Sequence, residues 1–177
     1  FHCWKEKGHG FMSLRNAMKQ SCDTYFYEIA RLLGVDRLKK TADKFGLGKK
    51  VLGEYFENEK SGQFPDTKWK INNLGKGWVL GETLITGIGQ GYTQTTPIQL
   101  CLMTAQIANG GYKITPKILT DDNQLTSEQV KRAMLNNNNE KPFEKLFKEQ
   151  KNIKLVQDSM FGSTNELRGT SYKSRID

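Results

Sequence analysis

Thirty consecutive residues, Thr83 to Tyr112, carry no charged side chain, and a segment of that length either crosses a membrane or folds against the rest of its own chain. A crossing needs about 20 predominantly apolar residues. Here eleven Thr, Gln or Asn residues and Pro97 interrupt the run, whose longest unbroken aliphatic or sulfur stretch is Leu100 to Met103. Lipid would strand those polar groups, so the segment is expected to be the buried core of a soluble fold. Gly87-Ile88-Gly89-Gln90-Gly91 inside it is a turn; with no Lys after its last Gly it lacks the mark of a phosphate cradle. Thr96-Pro97-Ile98-Gln99 combines a capping box with Pro at the first helical position, which predicts a helix from Pro97 to Ala108 ended by Gly110-Gly111. Cys101, inside that helix, is expected in the core.

The chain has 177 residues, the size of one domain or part of one, and its 36% hydrophobic and 26% charged content is that of a globular protein. Collagen, coiled coil and mucin-like stalk are excluded. Twenty-seven Lys and Arg against nineteen Asp and Glu give a net charge of +8, an excess that favours anionic partners such as nucleic acid, membrane headgroups or a carboxylate-bearing polymer. Lys39, Lys40, Lys44, Lys49 and Lys50 form a basic patch that reads as a solvated face. The chain begins with Phe1 and shows no basic, apolar and small-residue succession, so no signal peptide or anchor is expected in it and its native N-terminus is expected to lie upstream.

Three short helices should open the fold. Ser13 can cap one with Leu14, Ala17 and Met18 on a single face, broken at Ser21-Cys22-Asp23. Near Thr24 a second begins, with Phe26, Ile29, Ala30 and Leu33 on its apolar face and Gly34 placed to end it in the left-handed conformation. Asp36 can cap a third, carrying Leu38, Ala42 and Phe45 and stopping at Gly46-Leu47-Gly48. From Lys49 to Leu80 glycines, Pro65 and asparagines punctuate a charged background, which predicts surface loop. Tyr112 to Leu119 alternates as a strand or extended strap, Thr126 and Gln129 can start a helix to Leu135, Asn136 to Asn139 is a polar breaker, and Ile153 to Phe161 is a last amphipathic stretch.

Chemistry concentrates at Ser21-Cys22-Asp23, because a hydroxyl and a carboxylate at a helix junction are free of the helix ladder and can face a cleft. Each alone is an ordinary cap. Their surroundings are more specific: Gly8-His9-Gly10, Ser21-Cys22-Asp23-Thr24-Tyr25-Phe26-Tyr27-Glu28-Ile29-Ala30, Gly34-Val35-Asp36-Arg37-Leu38, Phe45-Gly46-Leu47-Gly48, Gly87-Ile88-Gly89-Gln90-Gly91-Tyr92 and Thr96-Pro97-Ile98-Gln99 follow in that order. In combination they resemble the transpeptidase domain of a class B, elongation-type penicillin-binding protein.

That resemblance implies an α+β fold of the serine beta-lactamase type, with residues 1–177 a partial domain dominated by its helical part. It implies peptidoglycan D,D-transpeptidation: a serine attacks the penultimate D-Ala carbonyl of a stem peptide, releases D-Ala and passes the acyl group to an amine of a neighbouring strand. The family works with S-x-x-K, S-x-N or S-x-D, and K-[ST]-G. No serine of this chain has Lys three residues on, so the nucleophile and its base are expected upstream. Lys60-Ser61-Gly62 and Ser163-Thr164-Asn165 spell motifs by coincidence, whereas Gly169-Thr170-Ser171-Tyr172 resembles the lead-in to the K-[ST]-G strand. Ser21 would be a proton relay and Asp23 would orient the missing lysine or hold a substrate amide. By itself the chain is expected to be inactive, lacking the oxyanion-hole donors. The implied partners are stem peptides, beta-lactams, a membrane glycosyltransferase and elongation-complex proteins, with no nucleic acid, at the periplasmic face of the bacterial inner membrane.

Cys3, His9 and Cys22 are spaced C-x5-H-x12-C near the junction. The resemblance implies no cofactor for catalysis, but these three residues suit a structural zinc with a fourth ligand from elsewhere. A Cys3–Cys22 disulfide and plain packing are the alternatives. Two rival functions remain open at this level, a cysteine hydrolase using Cys22, His9 and Asp23, and a non-catalytic interaction module on the same scaffold.

Overall fold

A computed structural model describes residues 1–53, 56–116 and 144–175. Helix α1, Leu14–Lys19, starts where the Ser13 hydroxyl accepts from the Asn16 amide, and α2 occupies Asp23–Leu33. Gly34, at φ 76° and ψ 154°, ends α2 and also opens α3, Val35–Lys44. Its φ is positive, as the sequence suggests, but its ψ is extended rather than left-handed helical, which lets one residue redirect the chain without a loop. Asp36 therefore does not cap α3; its carboxylate accepts from the amide and hydroxyl of Thr67 instead.

Residues 49–80 are not all loop. Asp66 accepts from the Trp69 amide and starts α4, Thr67–Leu74, which Gly75 closes in the left-handed conformation. The helix escapes a periodicity reading because Ile71 and Leu74 are exposed while Lys70 is buried. A salt bridge holds it: the Lys70 ammonium lies 2.5 Å from Glu82 of α5, Leu80–Thr86. Glu82 in turn accepts from the Val79 amide at the start of its own helix.

Helix α6, Pro97–Ala108, has its capping box from Thr96 and Gln99 as expected. Its orientation is not the expected one. The buried face is Gln99, Leu102 and Gln106, whereas Leu100 and Cys101 are exposed, so Cys101 is not in the core. The cause is hydrogen bonding to neighbouring loops. Gln99 donates to the carbonyls of Lys49 and Ser61 and accepts from the Thr96 amide, and Gln106 donates to the Phe45 carbonyl and accepts from the Ile114 amide. Buried side-chain amides such as those of Gln99 and Gln106 must find hydrogen-bond partners, and that need overrides the apolar stripe.

The last long helix, α7, Gln150–Asn165, extends beyond the expected 153–161 in both directions. It packs on α1 and α6, and a short 3-10 turn, Tyr172–Ser174, folds back on it. Arg15 and Lys19 of α1 reach Asp158 and Glu166, and the two cations hold the Glu166 carboxyl down to about 2. Tyr112 pairs with Lys145 in an isolated bridge, as does Gln63 with Gln94, and the described residues contain no strand. The expected Tyr112–Leu119 strand is thus reduced to a single bridge, with 117–119 outside the described residues. The expected helix from Thr126 and the Asn136–Asn139 breaker also lie outside them. Among the described residues no helix is long and apolar enough to cross a membrane.

Helices α2 and α5 meet at Gly87, where a Cβ would lie 2.4 Å from the Cβ of Ala30. Ala30 is itself buried in α2, so neither helix can yield cheaply. Gly87→Ala is expected to destabilise the full-length protein by about 2–3 kcal/mol, measured as a lower urea midpoint at unchanged m-value.

Candidate functional site

The junction between α1 and α2 is a single strained turn. Ser21 sits at φ 50°, and the Cys22 amide returns to the Ala17 carbonyl at 2.9 Å. Left-handed backbone is uncommon outside Gly, Asn and Asp, so the neighbours must hold Ser21 there. Trp4 does much of this. Its indole N–H donates to the Ser21 carbonyl at 2.7 Å and its backbone amide donates to the Asp23 carboxylate at 2.9 Å. One residue of the N-terminal segment thereby clamps both sides of Cys22.

Ser21 is exposed and lies between two hollows. On one side Ser21 and Asp23 line a cavity of about 430 Å³ with Phe26, Gly87, Ile88 and Gln90. On the other Ser21 borders a cavity of about 530 Å³ with Trp4, Arg168, Gly169, Thr170 and Lys173. The glycine turn of the charge-free segment is thus a wall of the cleft as well as a connection. The close approach of α2 and α5 at Gly87 is what brings it there. Trp4, Arg168 and Lys173 carry no motif that would single them out, whereas Gln90 belongs to the Gly87–Gly91 turn. Gly169 and Thr170 do, in the Gly-Thr-Ser-Tyr sequence.

Cys3, His9 and Cys22 converge on the same junction, their ligand atoms all within 4.8 Å of one another. The Cys3 sulfur lies 3.3 Å from His9 Nδ1. Burial raises the Cys3 thiol pKa, but hydrogen bonds from the backbone of Lys5, Asp23 and Thr24 and from the Cys22 thiol outweigh it and hold the group below its usual range. All three cysteines are free thiols. The hydrolase arrangement is not assembled: Cys22 is buried, His9 faces Cys3, and the Asp23 carboxylate is taken by Trp4 rather than oriented on His9.

Ser61 and Gly62 sit in a loop beside α6, whereas Ser163, near the end of α7, holds its hydroxyl 3.2 Å from that of Thr170 in the wall of the second hollow. The basic patch is partly neutralised within the chain: Lys39 and Lys49 both reach Asp43, and Lys44 stacks over Phe147. His2 is exposed at the edge of a small hollow with Phe1 and Cys3.

The chain belongs to the penicillin-binding protein transpeptidase domain family, whose model matches residues 1–177. Within the family the likeness runs to penicillin-binding protein 2. The chain is 34% identical over 170 residues to the peptidoglycan D,D-transpeptidase MrdA of Escherichia coli strain K12, covering 96% of this chain and 26% of that protein. It superimposes on Pseudomonas aeruginosa PBP2 in complex with WCK 5153 with a TM-score of 0.81 at 37% identity, covering 98% of this chain and 37% of that one. The Helicobacter pylori PBP2 in complex with MreC gives the same TM-score, 0.81, at 31% identity, covering 98% of this chain and 30% of that one. The chain therefore spans only part of the curated relatives it matches, from 18% of the Acinetobacter baumannii protein to 26% of the Escherichia coli one.

Proposed function

We propose that this chain is part of a peptidoglycan D,D-transpeptidase that cross-links stem peptides through a serine acyl-enzyme and is acylated by penicillin. The observation that carries this reading is the Ser21–Asp23 junction, strained, clamped by Trp4 and open to hollows on both sides, in a chain that matches the family over its whole length. Ser21 is the proton relay: its hydroxyl donates and accepts at once, linking the lysine of an S-x-x-K segment to the attacking or leaving nitrogen. Asp23, which can only accept as a carboxylate, keeps one oxygen on the Trp4 amide and orients the lysine or a substrate amide with the other. The complete domain is α+β, its sheet and its S-x-x-K and K-[ST]-G segments lying outside these residues. The exposed Leu80, Leu100, Phe161 and Leu167 are consistent with cover from that remainder.

The protein is placed at the periplasmic face of the inner membrane, in contact with a membrane glycosyltransferase and elongation-complex proteins. The PBP2–MreC complex of Helicobacter pylori supports the last of these by similarity. A fluorescent penicillin tests the reading. The full-length protein should form a covalent adduct that survives denaturation and is blocked by unlabelled penicillin. No adduct at any concentration would favour a non-catalytic module on the same scaffold.

Cys3, His9 and Cys22 are further proposed to hold a structural zinc. Tetrahedral zinc takes sulfur at about 2.3 Å and nitrogen at about 2.0–2.1 Å, so its ligand atoms sit roughly 3.5–3.8 Å apart, and the three donors are gathered to within an ångström of that. Such an ion would fix the N-terminal segment, and with it Trp4, against the start of α2. Purified full-length protein should carry near one equivalent of zinc, lost in Cys3→Ser together with a fall in Tm. Metal-free wild-type protein of unchanged Tm would remove the site.

A further inference from the structure

Beside the cleft lies a pair of thiols that the chemistry at Ser21 and Asp23 does not use. The Cys3 and Cys22 sulfurs are within 4.8 Å of each other, and both thiols are free. In the periplasm, where the protein is placed above, neighbouring thiols are drawn into disulfides. The two cysteines differ in access. Cys3 is half-buried at the edge of a hollow of about 420 Å³ with His2, Lys5, Glu6 and Thr24, whereas Cys22 is buried. A small disulfide therefore reaches Cys3 first, and Cys22 is placed to resolve what forms there.

They differ also in freedom to move. Cys22 is fixed at the start of α2, its amide returning to the Ala17 carbonyl at 2.9 Å and its carbonyl accepting from the Phe26 amide at 3.3 Å. Cys3 lies in a segment without helix or strand, so it is Cys3 that moves if the sulfurs are to bond. The amide that Trp4 donates to the Asp23 carboxylate belongs to the Cys3–Trp4 peptide plane, and that plane turns as a unit. The Trp4 ring also packs edge-on against His9 at 5.4 Å, and its indole N–H holds the Ser21 carbonyl. Trp4 is 60% exposed, so hydrogen bonds rather than burial keep it there. Drawing Cys3 onto Cys22 thus loosens the clamp that holds Ser21 at φ 50°.

We propose that Cys3 and Cys22 are a redox-modification site, at which a low-molecular-weight disulfide of the glutathione class closes a Cys3–Cys22 bond and thereby slows acylation at the neighbouring cleft. The Cys3 thiolate attacks one sulfur of the oxidant, forming a mixed disulfide and expelling one thiolate. The Cys22 thiolate then attacks the Cys3 sulfur and expels the second. Together the cysteines lose two electrons and the oxidant disulfide gains them, and protons from the cysteines, or from water where zinc had held the sulfurs, complete the two released thiols. Any bound zinc is freed in the same step, since two of its ligands are consumed. The effect on acylation rests on the transpeptidase reading above, whereas the disulfide itself does not.

The test treats full-length protein carrying Cys101→Ser, which removes the exposed third thiol, with oxidised glutathione. Peptide mapping after alkylation should show Cys3 joined to Cys22. Acylation by fluorescent penicillin should slow about tenfold, on the scale of one hydrogen bond to a charged group, and excess dithiothreitol should restore it. The circular dichroism spectrum should stay the same, which separates the slowing from unfolding. With Cys3→Ser added, the oxidant should leave the acylation rate where it was. Failure to recover the Cys3–Cys22 peptide, a mapped disulfide with an undiminished rate, a slowing accompanied by loss of helical signal, or an equal slowing with Cys3→Ser overturns the switch and leaves the transpeptidase reading standing. Reduced protein that does not label at all overturns the transpeptidase reading and the coupling with it, even where the disulfide is mapped. Should the Cys3→Ser protein fail to fold, the mapped disulfide and the recovery on reduction decide alone.

Discussion

Ser21→Gly in the full-length protein should slow acylation by penicillin about 10²- to 10⁴-fold, the range expected for loss of a positioned proton-transfer group. The choice of Gly separates chemistry from folding. Ser21 is held at φ 50°, a conformation that Gly adopts freely and that costs other residues on the order of 1–2 kcal/mol. The substitution therefore removes the hydroxyl and relieves strain together, so Tm should stay level or rise while the acylation rate collapses. Stopped-flow acylation and thermal denaturation measured on the same preparation give both numbers. Equal acylation rates in wild type and variant would exclude Ser21 from the proton path and remove the chemical basis of the proposed mechanism.

Lys70→Ala should cost the full-length protein about 3–5 kcal/mol, the usual result of removing one member of a buried ion pair. The Lys70 side chain is 6% exposed and that of Glu82 is 15% exposed, so the abandoned carboxylate has little access to water. Helix α4 depends on this contact because its own apolar residues Ile71 and Leu74 face outward. Replacing both partners, as in Lys70→Met with Glu82→Gln, should recover a large part of the loss, since no unpaired charge is then left behind. Urea titration of the three proteins measures the difference, and a single variant as stable as the double one would refute this account.

The same pair fixes a pH dependence. Burial pushes the Glu82 carboxyl up, but hydrogen bonds from Lys70 and the Val79 amide outweigh it and leave the group below its usual range. A carboxyl depressed in the folded state contributes stability that is present above its unfolded value of about 4.3 and lost as pH falls through the folded one. Glu166, held down to about 2 by Arg15 and Lys19, acts with the same sign. Wild-type Tm should accordingly decline as the pH is lowered below about 5, and the decline should be shallower in the double variant.

How much was legible in the sequence follows the range of the forces involved. Where a cap, a proline and a glycine lie within a few residues of one another, as from Thr96 to Gly111, the helix was bounded correctly, because those preferences act within one turn. The Ser13 cap of α1 succeeded for the same reason. Helix α4 was missed because its stability comes from Glu82 in the next helix rather than from an apolar stripe of its own. Cys101 was misplaced because apolar content says that a helix is buried without saying which face, and here loop carbonyls at Lys49, Ser61 and Phe45 claimed the glutamine face. Asp36 was assigned to the nearest helix when its partner was Thr67, distant in sequence.

By itself the sequence determined the local grammar: where several helices begin and end, and that Ser21 and Asp23 stand at a junction, whereas the convergence of Cys3, His9 and Cys22 came from the fold. These depend on neighbours along the chain and on residue type, which the letters carry. Only the tertiary structure decided what Ser21 faces. The Gly87 turn arrives through α5 packing on α2, Trp4 from the N-terminal segment, and Arg168 and Lys173 from beyond α7. Cavities are made by surfaces that meet after folding, and such meetings depend on packing between residues far apart in the chain, which no local pattern encodes.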